Sequence, residues 1–257
     1  LKDTDPSDPA STRPARYVSV SEGSDSTGDG TRTAPWGTLA HALASVSATA
    51  ETPYTLVLGD GTYDEDITLA PCVTVAGAAG AEVVLRGAVT GGAASGLRNL
   101  TVEAIADSYT LLTVSDAAMR VEDVTFTGAG YAGVTGMAVT GEAPVDGLVT
   151  DCTFTLIQTG LDVSGALPRV RRCRFTSIAG DGIVLRARAG KADGFANPLG
   201  DVNDPNSGYN IFEDIAGYAI NNERDETLTA QNCYFDGEVL ILGNVDTSSP
   251  LATAQLP

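Results

Sequence analysis

The chain has 257 residues, 43% of them hydrophobic, which is enough to fill a sizeable core. Its formal net charge is −18, with 13 Arg but only Lys2 and Lys191 as lysines, and this argues against nucleic acid or an anionic membrane as partner, since both need basic patches. The same charge repels acidic polysaccharides unless metal ions bridge the two, and no apolar run reaches membrane-spanning length.

Residues 1–16 contain three Pro, several Ser, Thr and Asp and almost nothing apolar, so they read as a disordered tether. The loop Ser24-Asp25-Ser26-Thr27-Gly28-Asp29-Gly30 has the oxygen donors of a calcium loop and equally the residues of plain turns. A helix is expected over about 35–50: Leu39, Leu43 and Val46 share a face, Thr33 precedes as N-cap and Pro35 suits the first turn. His41, the one histidine, lies on that helix beside Ala40 and Ala42. It is far in sequence from any acidic cluster, so Ser/His/Asp and histidine-metal chemistry have no support.

From there one short phrase recurs. It reads Leu97-Arg98-Asn99-Leu100-Thr101-Val102, then Val121-Glu122-Asp123-Val124-Thr125-Phe126, Val149-Thr150-Asp151-Cys152-Thr153-Phe154 and Val170-Arg171-Arg172-Cys173-Arg174-Phe175. It returns as Gly208-Tyr209-Asn210-Ile211-Phe212 and Ala230-Gln231-Asn232-Cys233-Tyr234-Phe235. Aligned on Leu100, Val124, Cys152, Cys173, Asn210 and Cys233, the copies are spaced by 24, 28, 21, 37 and 23 residues. Each alternates apolar and polar residues, as a half-buried strand does. Between them lie further short strands: Leu111–Val114, Gly136–Val139, Gly160–Val163, Gly182–Leu185 and Tyr218–Ile220. Coils of two or three short strands stacked on one another make an all-β fold, a single-domain right-handed parallel β-helix over residues 17–245 with an N-terminal capping α-helix. The longest departure from the period, about 187–207, is an insertion. The tail, 246–257, has no amphipathic helix, so the last coil edge needs cover from the tail or from a second subunit, a route to self-association.

Tyr17-Val18-Ser19-Val20-Ser21-Glu22-Gly23-Ser24-Asp25-Ser26, with Gly30-Thr31 and Ala34-Pro35-Trp36-Gly37-Thr38-Leu39 after it, resembles the N-terminal signature of bacterial right-handed β-helix proteins of the pectate-lyase-like, DUF1565-type group. Leu58-Gly59-Asp60-Gly61-Thr62-Tyr63 and Val73-Thr74-Val75-Ala76-Gly77 are similar to its first two turns. Asn197-Pro198-Leu199-Gly200 through Ser207-Gly208-Tyr209-Asn210-Ile211-Phe212 resembles a later segment. The resemblance implies the fold and an extracellular or cell-surface location, and the polar tether suits a secreted or lipid-anchored product. It leaves activity open, because this scaffold serves lyases, hydrolases, adhesins and structural proteins alike.

Cys152, Cys173 and Cys233 share a slot of the phrase, which reads as a ladder of buried thiols. A Cys152–Cys173 bridge is the alternative, against the dihedral a disulfide requires. Phe126, Phe154, Phe175, Phe212 and Phe235 share another slot and read as a buried stack, while Tyr63, Tyr109, Tyr131, Tyr209, Tyr218 and Tyr234 are the aromatics left for a surface. A lyase on such a scaffold needs a strong base beside carboxylates that hold calcium against a uronate. Asp181, Arg186, Arg188 and Lys191 are the candidates, set against the reading of Lys191 as a solvated loop charge. A hydrolase would need paired carboxylates, with Asp151, Asp162, Asp181, Asp214 and Asp225 available. Asp201, Asn203, Asp204 and Asn206 alternate oxygen donors and are candidate calcium ligands, or a turn. The repeat explains most residues as architecture. The reading is therefore a non-enzymatic extracellular protein, structural or adhesive, that binds glycans or assembles with itself, with no cofactor unless calcium. A calcium-dependent polysaccharide lyase or related carbohydrate-active enzyme is the alternative.

Overall fold

One slot of the phrase carries a left-handed backbone in every copy. Asn99, Asp123, Asp151, Arg172, Tyr209 and Asn232 have φ of 52° to 59°, a conformation that bends a strand sharply and that Asn and Asp tolerate best. Asn99 shows how the corner is held, because its amide donates to the carbonyls of Gly77 (3.0 Å) and Ala78 (3.1 Å). Each phrase is thus two short strands meeting at a corner, as Leu148–Thr150 and Thr153–Ile157 do around Asp151.

The structure is a computed structural model, described for residues 14–115, 119–141, 147–187, 199–204, 207–237 and 239–254. All strand pairings are parallel and join successive coils. A 13-stranded sheet runs from Ala15–Val18 to Tyr234–Phe235 and forms the two sides that meet at the corner. An 8-stranded sheet from Ile67–Thr68 to Leu240–Leu242 forms the third side and contains all the intervening strands read from the sequence. The fold is a right-handed parallel β-helix, the hand favoured for parallel crossovers.

The interior confirms the repeat register. Phe126, Phe154, Phe175, Phe212 and Phe235 stack at ring separations of 4.9, 4.7, 4.9 and 5.1 Å, matching the spacing of paired strands. Cys152, Cys173 and Cys233 are free, buried thiols, each donating to backbone carbonyls, as Cys233 does to Leu199 (3.3 Å). Asn210 fills the thiol slot of its coil. It accepts from the Cys173 N–H (3.0 Å) and donates to the carbonyls of Val170 (2.8 Å) and Leu199 (3.0 Å).

The cap helix is shorter than expected, Leu39–Ser45, with Thr38 rather than Thr33 as N-cap. The reason lies upstream. Trp36 is bridged to Val18 in extended backbone, and Asp25 fixes the N-terminus by accepting from the N–H groups of Gly37 (2.7 Å) and Thr38 (3.0 Å). Glu65, from a later coil, accepts from Leu39 N–H (2.9 Å) and Ala40 N–H (2.8 Å). Leu39 and Ala42 are buried in the main core, and Leu43 and Val46 pack against it. Strand Ala15–Val18 begins inside the segment read as a tether, of which residues 1–13 lie outside the described residues.

At the far end the tail folds back. Val245–Asp246 pairs with Leu228–Thr229, Ser249 accepts from Asn232 N–H (3.2 Å), and Leu251 N–H donates to Cys233 (2.9 Å). The third side gains no such cover among the described residues. Leu240, Ile241 and Leu242, its last strand, are exposed.

Candidate functional site

Register places outward side chains in rows that cross the coils. On the first side Ala76, Arg98, Glu122, Thr150 and Arg171 form one row. Thr74, Gly96, Arg120, Leu148 and Arg169 form the next. The left-handed corner supplies a third: Asn99, Asp123, Asp151 and Arg172. Between these rows and the loop at Ala79 and Gly80 lies an open groove of about 540 Å³, lined by Arg98, Asn99, Glu122, Asp123, Leu148, Thr150, Asp151, Arg171 and Arg172. Residues some 20 to 30 apart in sequence thus share one surface. Strand pairing brings them to about 4.8 Å from coil to coil.

One ion pair organises the corner. Arg172 grips Asp151 with both arms, Nε to Oδ1 at 2.7 Å and Nη2 to Oδ2, and Nη2 also reaches Thr150 Oγ1 at 3.1 Å. The Arg172 guanidinium holds the Asp151 carboxyl below the usual carboxylate range, outweighing partial burial, with the Thr150 hydroxyl assisting. Arg120 is exposed, and its side chain has no hydrogen-bond or ion-pair partner among the described residues. The groove offers guanidinium forks, carboxylates, a hydroxyl and an amide, a set that binds anions and sugar hydroxyls. Among the described residues no His, Lys or Cys lines it. The buried thiols are unsuited as nucleophiles, since burial pushes Cys233 up to about 12.

Of the residues singled out for catalysis, Asp181 and Arg186 flank a strand of the third side and hold separate partners. Asp181 accepts from Tyr218 N–H (2.8 Å) and the Asn221 amide (3.1 Å), closing a turn. Arg186 bonds Asp162 twice (3.0 and 2.8 Å) and Glu223 once (3.3 Å). The Asp162 contact raises its pKa further, so this guanidinium is a poor proton acceptor. Arg188 and Lys191 lie outside the described residues. Of the hydrolase carboxylates, Asp214 accepts from Ser177 Oγ (2.8 Å) at a different corner.

The candidate calcium loop is a self-bonded turn where it is described. Asp201 Oδ1 accepts from Asn203 N–H (2.8 Å) and Nδ2 (2.9 Å), Asp204 N–H donates to Asp201 O (3.1 Å), and Asn206 lies outside the described residues. The Ser24–Gly30 loop spends its Asp25 carboxylate on the helix N-terminus. Among the described residues no three His, Cys, Asp or Glu side chains group as a metal site. Tyr63, read as a surface aromatic, is 1% exposed, its hydroxyl donating to the carbonyls of Val18 (3.1 Å) and Gly59 (3.0 Å), whereas Tyr131 is 39% exposed. His41 packs edge-on against Trp36, ring centroids 5.8 Å apart.

The sequence reading missed the arginine rows. Reading charge down the phrase at the slot before the left-handed residue yields Arg98, Glu122, Thr150 and Arg171 directly.

A family model described as "Protein of unknown function (DUF1565)" matches residues 21–233. In fold the chain is similar to the crystal structure of pectate lyase Pel9A, with a TM-score of 0.57 and 16% identity over 93% of this chain and 78% of that one. It is also similar to a rhamnogalacturonan lyase, with a TM-score of 0.50 and 10% identity over 93% of this chain and 86% of the other. No curated protein sequence matches.

Proposed function

The chain belongs to the DUF1565 family, and we propose that it is a non-enzymatic extracellular β-helix protein that binds polysaccharide in the corner groove. The observation that carries this reading is the direction of the groove: it crosses the strands, so it runs along the solenoid axis and presents the same outward slots coil after coil. A linear polymer follows such a surface from coil to coil, with polar groups of differing kind at each step, where a small ligand would use only one. The polar lining supplies donors and acceptors for sugar hydroxyls. The shared fold with two proteins named as polysaccharide lyases supports a carbohydrate role. A polymeric ligand in turn supports an extracellular location, where such polymers are met.

Native electrophoresis through gels containing a panel of polysaccharides, with and without calcium, followed by staining for the polymer, tests this. Retarded migration with intact stain is expected. A cleared track would replace this reading by that of a lyase working through the third side and the Arg188–Lys191 segment. Free migration in every gel would remove the glycan.

A further inference from the structure

We infer that the second side of the solenoid, the one that follows the left-handed corner, binds ice through a plane of threonines. Register sets Thr101, Thr125 and Thr153 side by side on three successive coils. It sets Thr127, Thr155 and Thr176 in the next outward row, starting one coil further on. Threonine suits any outward strand position, and a single row, such as Thr110, Thr135 and Thr159 on the third side, needs no ligand to explain it. Two adjacent rows make a plane, and this plane shares none of its residues with the corner groove.

The first argument is regularity. Phe126 and Phe154 alternate with the threonines along their strands, and with Phe175 they stack at 4.9 and 4.7 Å with ring planes only 13° and 2° apart. These strands therefore superpose with little of the usual sheet twist, and the outward rows inherit the same repeat. Along each strand alternate side chains stand about 6.6 Å apart. Branching at Cβ restricts the threonine rotamers, which holds the hydroxyls in a fixed two-dimensional array. Both repeats lie close to those of the water oxygens on a prism face of ice, so one crystal face meets many hydroxyls at once.

The second argument is availability. Thr127 Oγ1 accepts from Ala129 N–H (3.3 Å), while the hydroxyls of Thr101, Thr125, Thr153, Thr155 and Thr176 have no partner among the described residues. Each hydroxyl both donates and accepts, as every water in ice does. The third argument is neutrality. The chain carries −18, yet none of the six residues is charged, and the charged side chains at either end of the plane are spent on one another. Arg86 pairs with Asp64 (3.3 Å) and Glu103 (3.2 Å), and Arg174 pairs with Glu213. An uncompensated charge would orient water about itself and break the lattice. The two rows hold no aromatic ring across these coils, so a crystalline glycan finds no stacking platform there.

The test follows ice recrystallisation and thermal hysteresis in solutions of the full chain, with serum albumin at equal mass as reference. The protein should hold crystals small where albumin does not. Thr125→Lys/Thr155→Lys, which sets a charged stem in each row, should raise the concentration needed about tenfold or more, at unchanged melting of the protein. Thr125→Val/Thr153→Val keeps the branched shape and removes two hydroxyls, and it should weaken the effect in the same direction even if the lysines disturb folding. Thr110→Lys/Thr135→Lys, on the third side, serves as control and should leave the effect unchanged. Crystal growth that the wild-type protein does not slow overturns the inference, and so does full activity in a folded second-side variant of either kind. Sedimentation with cellulose or chitin powder that the second-side lysines abolish, with no effect on ice, assigns the plane to a crystalline glycan instead. Because the groove lies on other residues, its own gel test can fail while this one succeeds, and the reverse.

Discussion

At Leu156 the backbone lies at φ +55°, and the side chain is 55% exposed. A branched apolar residue gains nothing there, since the left-handed region crowds its Cβ and water meets its methyl groups. The equivalent slots of the next two coils hold Ser177 and Asp214, at φ 54° and 52°, which suit that backbone better. Leu156→Asn is therefore expected to stabilise the protein by about 1 kcal/mol, read as a higher urea midpoint at unchanged slope. A lower midpoint would mean that the leucine makes a contact this backbone argument misses. Asp151 sets a second residue-scale expectation. Its folded pKa lies below the ordinary 3.8, first through the Arg172 guanidinium, so its contribution to stability is present above pH 3.8 and fades as pH falls through the folded value. Comparing wild type with Asp151→Asn from pH 7 to pH 2, the variant should start less stable and decline less steeply below about pH 4. Parallel curves would show that the pair contributes nothing through its charge.

Elements here are rows across coils more than strands along the chain, and this decides what the sequence reveals. The thiol and phenylalanine rows were legible because each uses one residue type in one slot of the phrase, and the structure stacks those rings about 4.9 Å apart. The groove was not, because its rows mix Arg, Glu, Thr and Leu, and no residue type announces the register. The cap helix was legible in its apolar face but not in its bounds. Glu65, 26 residues beyond Leu39, takes part in fixing its first turn, and no local pattern marks so distant a cap. The exception within the thiol row gives a sharper lesson. Asn210 breaks the pattern, and Asn210→Cys would restore it, yet a thiol cannot replace an amide that accepts from Cys173 and donates to both Val170 and Leu199. The repeat-restoring variant should be less stable by about 2–3 kcal/mol in chemical denaturation, because buried backbone groups lose their partners. An unchanged midpoint would show that the row tolerates either group and that the asparagine is incidental.

The whole molecule has two unlike ends. At the first, Leu39 and Ala42 are wholly buried, and carboxylates from two other segments lock the helix in place. At the other, the tail bonds to the edge around Asn232 and Cys233 but leaves Leu240, Ile241 and Leu242 exposed at 59%, 36% and 45% on a strand that, among the described residues, is paired along one edge only. An apolar strand with a free edge is a template for another strand, and a solenoid whose first end is closed has no open coil there to receive it. Association must then occur between like ends, which gives a closed pair and no growing filament. Light scattering against concentration should show a monomer–dimer step that saturates. Leu240→Lys, placing a charge on the most exposed of the three, should suppress that step while shifting stability by no more than about 0.5 kcal/mol, as expected for a surface position. A wild-type protein that stays monomeric at the highest concentrations would mean that the strand is too short, or its acidic surroundings too repulsive, for pairing. Continued growth beyond two copies would mean that the helical cap opens to admit a second solenoid.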